Sequence, residues 1–177
     1  MMSYHPVYTI GHGTRKAGDF LNLLKRFGIE YLIDVRSAPY SKYNPQYNRF
    51  ALKAFLEQHG IRYVFMGDAM GGRPGDPGCY HAEGKVDYSV VKTKEFFRQG
   101  IERLKKAHIQ GLKVAVMCSE SKPCECHRSK LIGEVLRDDG IFLQHIDERG
   151  NVKHQIEVMN ELNKGVSAIS LFGDDPV

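Results

Sequence analysis

Short apolar runs alternate with amphipathic stretches along most of this chain, and that alternation limits the folds open to it. Buried strands are predicted at 6–10 (PVYTI), 31–35 (YLIDV), 61–65 (IRYVF), 112–117 (LKVAVM) and 141–146 (IFLQHI). Helices are predicted at 17–27, 50–59, 88–107, 127–137 and 152–162. Because strands that alternate with helices are joined by crossovers, we expect a three-layer α/β fold. Its mainly parallel sheet has about five strands, with helices on both faces.

The length of the chain favours one domain. Its 177 residues are close to the usual prior of about 150 per domain, so we expect a single domain over 1–177. We expect 165–177 to form a C-terminal arm, in which 168–172 is either an edge strand or part of the ordered arm. The pattern does not indicate an oligomeric state.

The sequence has no apolar run near the roughly 20 residues that a membrane span requires. It also lacks the charged and apolar pattern of a signal peptide. We therefore expect a cytoplasmic protein with no membrane partner, whose cysteines are reduced thiols.

Ligands of parallel sheets bind beyond the carboxyl ends of the strands, so the residues that follow each predicted strand are the candidate site. His12 follows the first strand and titrates near neutral pH. Asp34 and Arg36 lie two residues apart at the end of the second, where Asp34 can orient the Arg36 guanidinium toward an anion. Ser37 and Ser41 add hydroxyl groups to the same substrate-binding set.

A Gly- and Pro-rich segment over 67–85 follows the third strand, and it offers Arg73 as a second anion contact. A loop of about 15 residues or more is more often functional than structural. The segment 40–50 interleaves aromatic and basic residues, which either stack nucleobases or pack on the core. The net charge of +4 suits a protein that meets phosphates.

The densest group of reactive side chains is 118–128 (CSESKPCECHR), after the fourth strand. Cys118 ends that strand, and Cys126 lies near the start of the next helix. The helix N-terminus, together with His127 and Arg128, favours a Cys126 thiolate. Arg128 is also a candidate substrate contact.

Three chemistries fit these residues. In the first, Cys118 or Cys126 is a nucleophile, Glu120 is a general acid or base, and His12 or His145 assists. His145 belongs here because it lies near the end of the fifth strand, on the same rim.

In the second chemistry, Cys118, Cys126 and His127 bind zinc or iron, whose common ligands include thiolates and imidazoles. In the third, the arginines bind an anion or nucleic acid without catalysis. The cysteines would then be ordinary small buried residues.

Five motifs, taken in order, resemble those of the domain of unknown function family 488. They are TIGHG (9–13), DVRSxPxS (34–41), GGRP (71–74), CxExxPxxCHR (118–128) and HI (145–146). The resemblance runs from about Tyr8 to His154 and implies a compact α/β fold with no established reaction. The family pattern covers His12, Asp34, Arg36, Ser37, Pro39, Ser41, Gly72, Arg73, Cys118, Glu120, Pro123, Cys126, His127, Arg128 and His145. Cys79 and Cys124 lie outside it.

The strand-end argument and the resemblance select the same residues. We therefore expect an enzyme that acts on a nucleotide, a nucleic acid or another small anionic ligand. The expected reaction is thiol-dependent or metal-dependent hydrolysis or transfer. A noncatalytic nucleic-acid or anion-binding protein is the alternative.

Overall fold

Six strands form one sheet in the computed structural model, which describes residues 5–172, and for 165–172 the backbone alone. The strands are β1 (Val7–Gly11), β2 (Tyr31–Asp34), β3 (Arg62–Phe65), β4 (Val114–Cys118), β5 (Leu143–Ile146) and β6 (Val152–His154). Their order across the sheet is β3-β2-β4-β1-β5-β6. The first five strands are parallel to their neighbours, and β6 is antiparallel to β5.

Helices connect the strands as the alternating pattern predicts. They are α1 (Ala17–Arg26), α2 (Arg49–Gln58), α3 (Gly67–Met70), α4 (Tyr88–Val91), α5 (Glu95–Ile109), α6 (Glu134–Asp138) and α7 (Gln155–Phe172). A π-helical turn, Arg128–Gly133, leads directly into α6. Short 3-10 turns occupy Pro45–Tyr47, Pro77–Cys79 and Pro123–Glu125.

The sheet has an apolar core on each face. Leu32 of β2 and Met117 of β4 belong to the core that α1 and α2 cover. Their neighbours Ile33 and Val116 belong to the opposite core, beneath α5 and the helix that starts at Arg128. Successive strand residues point to opposite faces, which explains why these strands appear as continuous apolar runs. The three-layer α/β fold is confirmed.

Residues 152–154 form a strand, so the prediction that the last helix begins at 152 is wrong. The Asp147 carboxylate accepts the N–H groups of Arg149 and Asn151, which closes a tight turn after β5. The chain therefore reverses and pairs with β5 before α7 begins at Gln155.

Of the two alternatives for 168–172, the edge strand is wrong, because α7 runs as far as Phe172. Of the predicted arm over 165–177, residues 173–177 lie outside the described residues. Within residues 5–172, no helix has the combination of length and apolarity that crossing a membrane demands.

The predicted helix over 88–107 is two helices, α4 and α5. Val91 and Phe97 are both buried in the same core. In one continuous helix, residues six positions apart would lie on different faces. The turn at 92–94 lets both side chains reach the core.

Candidate active site

A cleft opens at the carboxyl end of the sheet, among the loops that follow β2, β3 and β4. The neighbouring strands β2 and β4 lead into helices on opposite faces, and such a divergence is where α/β sheets form ligand crevices. The cleft has a volume of about 390 Å³. Its lining residues are Arg36, Ser37, Ala38, Gly72, Arg73, Tyr88, Cys118, Ser119, Glu120, Glu125 and His127.

Asp34 fixes the guanidinium of Arg36, as the sequence predicts. Nε of Arg36 donates to Asp34 Oδ1 at 2.9 Å, and Nη2 donates to Asp34 Oδ2 and to the Tyr47 carbonyl, each at 2.7 Å. The Tyr63 hydroxyl donates to the same carboxylate. Nη1, which lies 3.3 Å from His12 Nε2, is the guanidinium nitrogen left for a ligand in the cleft.

Arg73 lies at the rim of the cleft because its loop packs closely against Ser37 and His127. Its backbone N–H donates to Ser37 Oγ at 2.8 Å, and its side chain is exposed. The preceding Gly72 packs against the His127 ring, where an added Cβ would lie 2.9 Å from Nδ1. A residue without a side chain is thus needed for this approach.

Two thiols and a carboxylate converge on the opposite wall. The Sγ atoms of Cys118 and Cys126 and a carboxylate oxygen of Glu120 all lie within 4.8 Å of one another. Burial acts to raise the pKa of Glu120. Its own backbone N–H and the Cys126 and Cys118 thiols outweigh that effect, and the pKa lies below its usual value. Glu120 is therefore ionised at neutral pH, which suits a general base rather than a general acid.

The structure corrects the predicted thiolate at Cys126. Burial, followed by the Cys118 thiol and the Glu120 carboxylate, raises the pKa of Cys126 well above its usual value. The charge of Arg128 opposes this rise without overcoming it. The favourable helix start was visible in the sequence, whereas the second thiol and the carboxylate are neighbours that only the fold reveals.

His127 lies between the thiols and the Gly72 loop. Its Nδ1 is 3.5 Å from Cys126 Sγ. Burial lowers the pKa of His127, partly offset by Glu120, so the ring is neutral at pH 7. Its Nε2 is buried without a hydrogen-bond partner among the described residues.

Arg128 does not line the cleft, although the sequence suggested it as a substrate contact. It is fully buried, and Nη2 donates to the Ser121 carbonyl at 2.9 Å and to the Glu120 carbonyl at 3.4 Å. Nη1 donates to Thr9 Oγ1 at 3.4 Å. The guanidinium therefore holds the loop after β4 in place.

His145 lies behind that loop, at the end of a hydrogen-bonded chain. Thr9 Oγ1, which accepts from Arg128, donates to His145 Nδ1 at 2.6 Å, and His145 Nε2 donates to Gln155 Oε1 at 2.5 Å. Burial lowers the pKa of His145 to about 4; Gln155 opposes this shift and Arg128 adds to it. His145 is a neutral, fully bonded residue with no access to the cleft.

His12 and Ser41 also lie off the wall of the cleft. His12 Nδ1 donates to the Gly13 carbonyl at 2.8 Å, and its ring stacks on Tyr47 with centroids 4.3 Å apart. Burial lowers the pKa of His12. Ser41 Oγ accepts the N–H of Asn44 at 3.0 Å, so it stabilises a turn.

Of the predicted site residues, the cleft brings together Arg36, Ser37, Arg73, Cys118, Glu120 and His127, with Cys126 in contact behind them. Sequence reasoning missed four lining residues, Ala38, Tyr88, Ser119 and Glu125. Ala38 directly follows the predicted Ser37. Ser119 and Glu125 lie inside the 118–128 stretch, which could have indicated them. Tyr88 begins α4 at the end of the long loop, and no local pattern marks it.

These observations define a three-layer α/β protein with a polar cleft between two arginines and a thiol–carboxylate group. The chain belongs to the family described as Domain of unknown function DUF488, whose family model matches residues 16–135. That match confirms the resemblance, and it includes every residue that lines the cleft. It ends before His145 and begins after the TIGHG motif. No curated protein and no solved structure matches the chain.

Proposed function

We propose that this protein is an enzyme that binds an anionic substrate, a nucleotide or a nucleic-acid phosphate, in the cleft. The observation that carries the proposal is the chemical difference between its two walls. Arg36 and Arg73 lie on the side of β2 and β3, while Cys118 and Glu120 lie on the side of β4. Convergent groups of opposite character in one cleft are the usual form of an enzyme site.

The arginine wall supplies the contacts to the anion. Arg36 is already paired with Asp34, so the exposed side chain of Arg73 contributes most of the positive charge. Arg36 adds the Nη1 donor described above. Ser37 Oγ accepts the Arg73 N–H, which leaves its hydroxyl hydrogen to donate to a substrate oxygen.

The thiol–carboxylate wall supplies the reactive groups. Cys118 and Glu120 line the cleft, whereas Cys126 lies behind them. This wall acts in one of two ways: a thiol attacks the substrate directly, or a bound metal ion activates water. Both lead to hydrolysis or group transfer, with Glu120 as the base in the first case and as a ligand of the ion in the second.

Binding of inorganic phosphate and of AMP, measured by titration calorimetry, tests the arginine wall. We expect Arg73→Ala to weaken binding about tenfold, the effect of losing one charge-assisted hydrogen bond. The control is Arg98→Ala, which removes the same charge from the exposed side of α5. Equal affinities for Arg73→Ala and the unaltered protein would contradict the proposal.

Turnover of a panel of nucleotides and single-stranded oligonucleotides tests the other wall. Glu120→Gln keeps the shape of an exposed side chain and removes its charge. We expect this variant to bind AMP normally and to lose turnover. If Glu120→Gln reacts as fast as the unaltered protein, the carboxylate has no catalytic role.

Nucleic-acid binding without catalysis is a second candidate, favoured by the exposed aromatic residues beside the cleft. Tyr40, Tyr43 and Phe50 are 71%, 88% and 78% exposed. Of the aromatic residues in 40–50, only Tyr47 packs in the core. Ala38 lines both the cleft and the hollow beneath Tyr40 and Phe50, so the two surfaces are continuous. Exposed aromatic rings near basic residues are typical of surfaces that stack bases.

Turnover separates a noncatalytic binder from any enzyme, and the salt dependence of oligonucleotide binding further separates it from an enzyme for small substrates. A noncatalytic binder should lose affinity steeply as salt rises, and Tyr43→Ala should weaken it further. An enzyme for small substrates should instead bind AMP and an oligonucleotide with similar affinity.

A further inference from the structure

The convergence of Cys118, Glu120 and Cys126 has the dimensions of a metal site. Their ligand atoms lie within 4.8 Å of one another. A tetrahedral zinc ion, with bonds of about 2.3 Å to sulfur and about 2.1 Å to oxygen, holds ligand atoms about 3.6–3.8 Å apart. A contraction of roughly 1 Å or less, within reach of side-chain rotation, therefore completes the coordination.

The three ligands are held by backbone elements on either side of the site. Cys118 ends β4, where it pairs with Gly11 of β1. An added Cβ on Gly11 would lie only 1.7 Å from the Glu120 carbonyl oxygen, so the absence of a side chain there lets the Glu120 loop pack against β1. Cys126 Sγ accepts the N–H of Arg128 at 3.4 Å. A site positioned before the ion arrives binds it with little reorganisation.

Arg128 provides an independent electrostatic observation. Its guanidinium is fully buried, and no carboxylate among the described residues lies within ion-pair distance of it. A buried charge without a counter-charge is costly. Two thiolates and one carboxylate around a divalent ion carry a net charge of −1, and the buried +1 of Arg128 lies directly behind them.

We propose that Cys118, Glu120 and Cys126 bind one divalent transition-metal ion of the zinc class. Two thiolates favour zinc, iron or cobalt over magnesium or calcium, which prefer oxygen ligands. Three protein ligands leave a fourth position, and because Cys118 and Glu120 line the cleft, that position faces Arg36 and Arg73. A metal site with one open position is the usual catalytic form.

Glu120 is the third metal ligand, in place of His127, which was predicted from the sequence. The His127 Nδ1 lies beside Cys126 Sγ at 3.5 Å and is not part of the converging group. From there it can donate a hydrogen bond to a metal-bound thiolate, which is the usual role of a residue behind the ligands.

Metal binding to the full reduced chain tests the proposal. The chain is stripped with a chelator and then titrated with Zn²⁺ against a chromophoric competitor, and separately with Co²⁺. We expect one equivalent of each, with a thiolate-to-cobalt charge-transfer band. Cys118→Ser and Cys126→Ser should weaken zinc binding by at least about 100-fold.

The chain offers two matched controls. Cys124 lies in the same loop, outside the converging group, and Cys79 is a buried free thiol on another turn. Cys124→Ser and Cys79→Ser should bind zinc within about threefold of the unaltered protein. Glu120→Gln, a change at an exposed side chain that leaves folding intact, should weaken zinc binding while keeping the charge-transfer band. Circular dichroism and thermal unfolding identify any variant that has lost its fold.

Stoichiometry well below one, an absent charge-transfer band, or equal losses in Cys124→Ser and Cys126→Ser would overturn the metal site. The proposal deepens the proposed function and rests on it only for the role of the ion. If zinc binds as expected while Arg73→Ala leaves phosphate binding unchanged, the metal site stands and the proposed function fails. If phosphate binds through Arg73 but zinc does not bind, the reverse holds.

Discussion

Two groups of ionisable residues lie side by side at the carboxyl end of the sheet, and they differ in how their polar atoms are used. Behind β1 and β5, Arg128, Thr9, His145 and Gln155 form a hydrogen-bonded chain that is closed to the cleft, and Arg128 Nε is its one donor without a partner among the described residues. Above β2 and β4, Arg36, Arg73, Cys118 and Glu120 face an open cleft. The sequence motifs contain both groups without distinguishing them.

The comparison shows that a charged residue at a strand end has two different uses. In the closed chain, the residues position the loop that carries the reactive groups. In the open cleft, they are available to a ligand. Contact with the cleft separates the two uses, and neither burial nor residue type does, because Arg36 and Cys118 are buried as well.

Replacing Arg128 should produce the largest effect and tests the closed chain. Arg128→Met removes the donors to the Glu120 and Ser121 carbonyls and to Thr9, and we expect a loss of about 3 kcal/mol in the free energy of unfolding. Urea denaturation measures it. Arg73→Ala, in the open cleft, should stay within about 0.5 kcal/mol. Similar losses in both variants would remove the distinction between the two groups.

Acidification should produce the next largest effect, again in the closed chain. The pKa of His145 is lowered to about 4, below the model-peptide value of about 6.5, so between these pH values the unfolded chain binds more protons. The stability that His145 contributes is therefore fully present above pH 6.5 and falls as the pH falls. We expect a loss of roughly 2 kcal/mol between pH 7 and pH 5 from this residue.

Denaturation curves for His145→Gln measure that contribution. The slope of stability against pH should decrease in the variant but not vanish, because burial also lowers the pKa values of His12 and His127. An unchanged slope would show that His145 is not held neutral in the folded protein.

A substitution at Gly72 should produce the smallest effect and tests the open cleft. The Cβ of Gly72→Ala would lie 2.9 Å from His127 Nδ1, and we expect a cost of about 1 kcal/mol as the ring shifts. Gly75→Ala is the control, because its Cβ would meet nothing within 4 Å. If the two variants unfold at the same denaturant concentration, the Gly72 contact does not constrain the loop.

The sequence predicts the layers and the strand ends well because both depend on local pattern. All five predicted parallel strands exist, and the Asp34–Arg36 pair forms as its spacing requires. The additional strand β6 was missed because its pairing depends on the turn around Asp147 and on contact with β5. Neither is encoded in a periodic pattern.

The candidate site is predicted less completely, because the sequence places residues at a rim without giving their depth. Arg128 and His145 reach the same rim as Cys118 but lie behind it, bonded to each other through Thr9. The raised pKa of Cys126 has the same origin, since it reflects burial and two neighbours, Cys118 and Glu120, that are eight and six residues away along the chain.

The π-helical turn at Arg128–Gly133 has a consequence for the whole arrangement. A π-helical turn contains an extra residue relative to an α-helix, and each residue of an α-helix advances about 100° around the axis. If Leu136 kept its place against the sheet while the same residues took the regular pitch of an α-helix, Arg128 would rotate by roughly that angle and leave Thr9. The orientation of Arg128, the arginine that holds the Glu120 loop, is therefore set by the local pitch of the helix rather than by any group in the cleft.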